Sequence, residues 1–179
     1  LVLVTLCEGN HYPFIEERLD KFFTLTDTSG EKNDNASGFI GQYVHGNEPS
    51  HHVAYLYDYA GEPHKTQKLV WQIMNTLYNT SSSGYAGNDD CGEMSSWLVF
   101  SAMGFYPVCP TGGEYALGTP LFNEVKIHLQ NGKVFKITAN RKKDTDFYVK
   151  NVMMNGKKLK GNFIQQKDIE NGGTLTFQL

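Results

Sequence analysis

The chain has 179 residues, with 16 Lys and Arg against 19 Asp and Glu and a formal charge of −3. That length buries a substantial core as one large domain or two small ones. Charges of both signs are mixed, with neither a basic block for nucleic acid nor a polybasic segment for an anionic membrane. No apolar run approaches the roughly 20 residues of a membrane-spanning helix. Ten Tyr and eleven Phe raise the aromatic content to 13%, which points to a large core, a ring-walled binding site, or both.

In chain order, Leu1-Val2-Leu3-Val4-Thr5-Leu6-Cys7 is apolar but lacks the basic lead-in and small-residue cleavage site of a signal peptide. It reads as the middle of a buried element, so the chain is expected to be a piece of something longer. Residues 11–23 carry Phe14, Ile15, Leu19, Phe22 and Phe23 at helical spacing, and a polar loop follows to Ser37. Phe39 to Val44 is short and mostly apolar. Pro49 suits a first helical turn, with His52, Val53, Leu56, Tyr57 and Ala60 continuing one face to Gly61. Pro63 opens the next helix, striped by Leu69, Val70, Ile73, Met74 and Leu77. A further helix runs from about Glu93 to Met103 and stops at Gly104.

The character changes near Val108. Val125, Ile127 and Leu129 alternate, as do Phe135 and Ile137, around Gln130-Asn131-Gly132-Lys133. A three-residue loop with Gly132 left-handed keeps one face apolar, setting Ile127 against Phe135 and Val125 against Ile137. Met154-Asn155-Gly156-Lys157 repeats the turn chemistry after a strand over 147–153, and a last strand covers 174–177. Helices followed by strands define an α+β chain, expected to divide into residues 1–107 and 108–179.

Three cysteines, Cys7, Cys91 and Cys109, close no disulfide framework and match no zinc spacing. Cys91 and Cys109 are read as either a bridge or two buried thiols.

Two polar knots carry the chemistry. Gly87-Asn88-Asp89-Asp90-Cys91-Gly92-Glu93 places adjacent carboxylates at the mouth of a helix. One acid caps a helix, but several at one turn repel each other unless a cation or proton is shared. About forty residues upstream lies His45-Gly46-Asn47-Glu48-Pro49-Ser50-His51-His52. Adjacent histidines on a helix diverge by about 100° and rarely share one ion, so zinc is disfavoured. The hard oxygens of Asn47, Glu48 and Asp90 suit calcium better. Glu48 is equally readable as a helix-start carboxylate. Glu8 follows a buried-looking run, where a raised pKa would suit a general acid, but a simple loop acid has the same signature.

The run from Gly41 to Gln67, the run from Gly87 to Pro107, Tyr115 to Phe122, the Asn155-Gly156-Lys157 turn and Gly172-Gly173 together resemble the glycoside hydrolase family 92 α-mannosidases. The resemblance covers nearly the whole chain. It implies calcium-dependent, inverting, exo-acting hydrolysis of terminal α-mannosidic linkages, α-1,2 or related, in mannose-containing glycans by a secreted, periplasmic or cell-surface enzyme. It implies an N-terminal β-sandwich, absent from this chain, followed by an (α/α)6 toroid whose closing helical hairpins and trailing β-rich segment correspond to this sequence. Glu8 then matches the general acid, and Asp90, with its neighbour Asp89, the general base. Asn47, Glu48 and Asp90 are the expected Ca2+ ligands, and His51, His52 and Asn88 the expected substrate contacts. The non-enzymatic alternative is a calcium-stabilised carbohydrate-binding or structural fragment. One departure stands out: Asn10 runs directly into His11-Tyr12-Pro13-Phe14-Ile15, without the aromatic-rich stretch the family carries there.

Overall fold

The computed structural model describes residues 13–25 and 37–179. They fall into two compact units that divide between Leu98 and Val99, in a mixed α+β chain.

In the first unit, α1 (Pro13–Thr24) buries Leu19 and Phe23, one turn apart, while Phe14 stays exposed. Its polar face is tied down by Lys65, whose ammonium reaches Glu16 at 2.7 Å and Asp20 at 2.6 Å. A two-residue hairpin, β1 (Phe39–Ile40) and β2 (Tyr43–Val44), turns at Gly41, where φ is +61°. The turn lies so close to α1 that a Cβ at Gly41 would stand 2.4 Å from the Phe23 carbonyl carbon. Only glycine meets both demands.

Residues 48–59 are less regular than the sequence suggests. Two 3-10 turns, Glu48–Ser50 and Val53–Tyr55, precede the single α turn α2 (Leu56–Tyr59). The aromatic run 55–59 is packed by its large rings, with Tyr55 and Tyr57 buried, and the backbone follows that packing. Helix α3 (Pro63–Thr76) matches expectation: Pro63 opens it, and Leu69, Val70, Ile73 and Met74 are buried. Helix α4 (Glu93–Met103) contributes Met94 and Trp97, both essentially inaccessible.

In the second unit, β3 (Phe105–Cys109), β4 (Glu114–Leu117) and β9 (Phe163–Gln165) form one sheet. A second sheet contains β5 (Glu124–His128), β6 (Val134–Asn140), β7 (Asn151–Met154), β8 (Lys157–Lys158) and β10 (Gly173–Gln178), in the order β5-β6-β10-β7-β8. Phe105, Leu117, Phe135, Ile137, Ile164, Leu175 and Phe177 make the core, joined by Ile169 of the short helix α5 (Gln166–Glu170). Full burial of one such apolar side chain is worth about 1.5–3 kcal/mol.

The β5–β6 register sets Ile127 against Phe135 and Val125 against Ile137, with Gly132 at φ +79°, as the alternation requires. The second Asn-Gly turn differs. Asn155 and Gly156 are both left-handed, at φ +52° and +77°, and Met154 pairs directly with Lys157, the geometry of a two-residue hairpin turn. Strand β7 begins at Asn151, later than expected, because its partner β10 ends its pairing there, with Gln178 opposite Asn151. Cys91 and Cys109 are free thiols, and both are exposed rather than buried. Among the described residues no helix is long and apolar enough to cross a membrane.

Candidate active site

Both polar knots lie in the first unit, over a buried aromatic and histidine framework. His45 is fully inaccessible. Its Nδ1 lies 2.7 Å from the Tyr43 hydroxyl and its Nε2 2.6 Å from the Tyr78 hydroxyl. The Tyr78 hydroxyl also lies 3.2 Å from the Met94 carbonyl. His45 thus sits between two tyrosine hydroxyls, with the donor at each ring nitrogen set by its tautomer. Burial first, and the neighbouring His51 second, push the His45 pKa down to about 3, which keeps this uncharged chain intact near neutrality.

His51 is fixed from both ends. Its Nε2 donates to the His45 carbonyl at 3.0 Å, and its own carbonyl accepts the Trp97 indole N–H at 3.0 Å. Its Nδ1 faces Glu93 Oε1 at 3.4 Å. Trp97 meets the His45 ring edge-on at 4.5 Å and stacks on Tyr78 with an interplanar angle of 1°. Helix α4 and the 45–52 segment are thus joined through groups that water does not reach, where hydrogen bonds count most.

Asp89 and Asp90 do different things. Asp89 Oδ1 accepts from the Ser95 amide at 2.9 Å and the Ser95 hydroxyl at 2.6 Å, and its carbonyl accepts from Gly92 and Met94. It is the capping residue of α4. The chain then turns left-handed at Asp90 and Cys91, with φ of +46° and +59°. This region is costly for residues with a Cβ, though aspartate tolerates it better than most. Asp90 is exposed and has the Glu48 carboxyl as a neighbour. Hydrogen bonding to Glu48, then burial, then the negative charges of Glu48 and Asp89 push the Asp90 pKa above the usual carboxylate range. Glu48 is held below it, first by its own backbone amide and then by Asp90.

Two neighbouring carboxylates repel each other unless a proton or a hard divalent cation joins them. Among the described residues no group of three or more His, Cys, Asp and Glu side chains is arranged to hold a metal. Two carboxylates supplemented by amide and main-chain oxygens, water and sugar hydroxyls fit the six to eight oxygens calcium takes. They do not fit zinc, since His51 spends Nε2 on a carbonyl. Asn47, the third expected ligand, is exposed and makes no capping bond with its side chain.

Of the expected substrate contacts, Asn88 is exposed, His52 is half-buried and His51 is buried. The His52 pKa is lowered by burial first and by His51 second. Glu8, the expected general acid, lies outside the described residues. Sequence reasoning missed His45, Tyr78 and Ser95. Ser95, six residues after Asp89 and inside the first turn of a helix, was the one local signal.

The two knots also meet through main chain. The Ala86 carbonyl accepts from the Ser37 hydroxyl at 2.6 Å, and a Cβ at Gly46 would fall 2.0 Å from that same carbonyl oxygen. Gly46→Ala is expected to destabilise the protein by about 1–3 kcal/mol, the usual cost of forced overpacking, read as a lower melting temperature in a thermal scan.

Known proteins give these loops a context. The model of the glycosyl hydrolase family 92 catalytic domain matches residues 2–179. A family GH92 α-mannosidase from Bacteroides thetaiotaomicron superposes with a TM-score of 0.86 at 39% identity, over 93% of this chain and 22% of that one. A GH92 inverting mannosidase from the same organism gives 0.79 at 39%, over 94% and 24%. An uncharacterized secreted glycosidase of Arthroderma benhamiae is 36% identical over 138 residues, 75% of this chain and 18% of that protein. The chain therefore belongs to glycosyl hydrolase family 92. It spans about a fifth of the length of these relatives.

Proposed function

We propose that this chain is the C-terminal catalytic portion of a longer, calcium-assisted, inverting α-mannosidase acting on terminal α-mannosidic linkages of glycans, α-1,2 or related. The observation that carries the reading is that the two acidic loops, bearing Glu48 and Asp90, are held together through the buried His51 and Trp97. The likeness to a GH92 α-mannosidase complexed with mannoimidazole, at a TM-score of 0.85 and 38% identity, supports the substrate class.

In this mechanism Asp90 takes a proton from the attacking water as general base, and Glu8 protonates the leaving oxygen as general acid. An inverting pair of this kind stands about 6.5–9.5 Å apart, with the water between. Asp89 holds the turn that presents Asp90. Asn47, Glu48 and Asp90 would hold the calcium ion, which when bound supplies a positive centre for sugar hydroxyls. Asn88 and His52 would touch the sugar from the surface, and the buried His51 would act from beneath, by fixing the loop.

Residues 1–107 are assigned to the closing helices of an (α/α)6 toroid, and residues 108–179 to a β-rich segment that returns to an N-terminal β-sandwich elsewhere in the enzyme. A secreted, periplasmic or cell-surface location fits a glycan substrate and the relative named as a secreted glycosidase.

The test is hydrolysis of an aryl α-mannoside by the full-length enzyme, followed by proton NMR. The first-formed sugar should be β-mannose; α-mannose would overturn the inverting assignment. One second reading has an observation behind it. Because the chain spans only about a fifth of its relatives, the second reading of the isolated 179 residues is a calcium-stabilised carbohydrate-binding or structural fragment, for which sugar binding without turnover is the expected signature.

A further inference from the structure

Tyr85 is the aromatic side chain that the site leaves unexplained. It is 42% exposed, yet it is held firmly. Its hydroxyl lies 2.9 Å from Ser95 Oγ. Ser95 spends its own hydrogen on the Asp89 carboxylate, which as an anion can only accept, so Tyr85 is the donor in this pair. Its ring meets Tyr78 edge to face at 6.0 Å, and Tyr78 stacks on the fully buried Trp97. The next residue, Ala86, is the one whose carbonyl lies against Gly46 and bonds Ser37. Tyr85 therefore stands at the seam between the two acidic loops, joined to one through its hydroxyl and to the other through the main chain beside it.

We propose that the Tyr85 ring is a wall of the sugar-binding site, against which the apolar C–H face of a pyranose stacks while its hydroxyls face the Glu48–Asp90 side. The assignment rests on the α-mannosidase reading above. A pyranose presents one face of C–H groups and a rim of hydroxyls. A flat ring on the loop that carries Asp89 and Asp90 complements both, and ring contacts of this kind with few, well-placed polar groups are how ligand sites gain orientation. Immobilising the ring in advance removes an entropy cost that a mobile surface tyrosine would meet on binding. The structural alternative is that Tyr85 serves only to steady Ser95 and, through it, Asp89. The two roles separate by chemistry: the first needs the ring, the second needs the hydroxyl.

The experiment compares Tyr85→Phe, Tyr85→Leu and Tyr85→Ala with wild type in the full-length enzyme, using 4-nitrophenyl α-mannoside as substrate and free mannose as competitive inhibitor. Tyr85→Ala and Tyr85→Leu are expected to raise KM and the mannose Ki by about 3- to 10-fold, the scale of one aromatic contact, with kcat little changed. Tyr85→Phe keeps the ring and is expected to stay close to wild type in both constants. The side chain is exposed enough for all three variants to fold, which a thermal scan checks. Unchanged KM and Ki in Tyr85→Ala would overturn the proposal, as would a fall in kcat shared equally by Phe and Ala with KM intact. Absence of α-mannoside turnover by the wild-type enzyme would overturn the mannosidase reading and this inference with it.

Discussion

Asp90→Asn in the full-length enzyme is expected to lower kcat on an aryl α-mannoside by about 10²–10⁴-fold, the usual contribution of a positioned general base. The assay is run at saturating calcium, because Asp90 is also a proposed calcium ligand. The substitution isolates the chemistry from the fold. Asparagine accepts the left-handed conformation at φ +46° at least as readily as aspartate does, and helix α4 keeps its cap because that task belongs to Asp89. Asp89→Ala is the contrasting variant. It removes the acceptor of both Ser95 bonds, costs about 0.5–2 kcal/mol of stability, and lets the turn that presents Asp90 relax. Asp90→Asn should therefore cut activity with an unaltered melting curve, whereas Asp89→Ala should lower both. An Asp90→Asn enzyme within tenfold of wild type would place the base elsewhere.

The second large effect is expected at Glu48. If Glu48 and Asp90 share a cation in the working enzyme, chelation should reduce activity by about 100-fold or more, the rate equivalent of roughly 3 kcal/mol, and added calcium should restore it. Glu48→Gln keeps the size and one oxygen but removes the charge. The calcium concentration for half-maximal activity should rise by at least the 10- to 100-fold that loss of even an indirect partner typically costs. Calorimetric titration of calcium into the same variant gives a readout independent of turnover. Full activity after exhaustive chelation would dismiss the metal.

How much of this was readable in advance depends on the range of the interactions involved. Helix α3 was legible because its stripe Leu69, Val70, Ile73 and Met74 is local and Pro63 marks its start. The β5–β6 register was legible because, of the two-residue and three-residue turns that Asn131-Gly132 allows, only the three-residue loop keeps one face apolar. The carboxylate-rich character of the two loops was legible from composition. The separate duties of Asp89 and Asp90 were not, since they hang on one backbone dihedral and on Ser95. The framework under the loops was hidden for another reason. His45 meets Tyr78 across 33 residues, and Trp97 meets His51 across 46; no periodicity encodes such pairs. The breakup of 48–59 into short turns was likewise decided by where Tyr55 and Tyr57 pack.

Strand β10 has a consequence for how the second unit comes into being. It lies between β6, to which it is parallel, and β7, to which it is antiparallel. The β6 pairing joins residues such as Phe135 and Gly173. Until 173–178 arrive, β5–β6 and β7–β8 are two separate hairpins with open edges, each of a kind that is marginal alone. Sheet closure is thus a late, non-local event, slow in the manner of high contact-order topologies. During synthesis the apolar faces of β6 and β7 wait exposed for Leu175 and Phe177, and a chain ending before Gly173 is left with edges that invite aggregation.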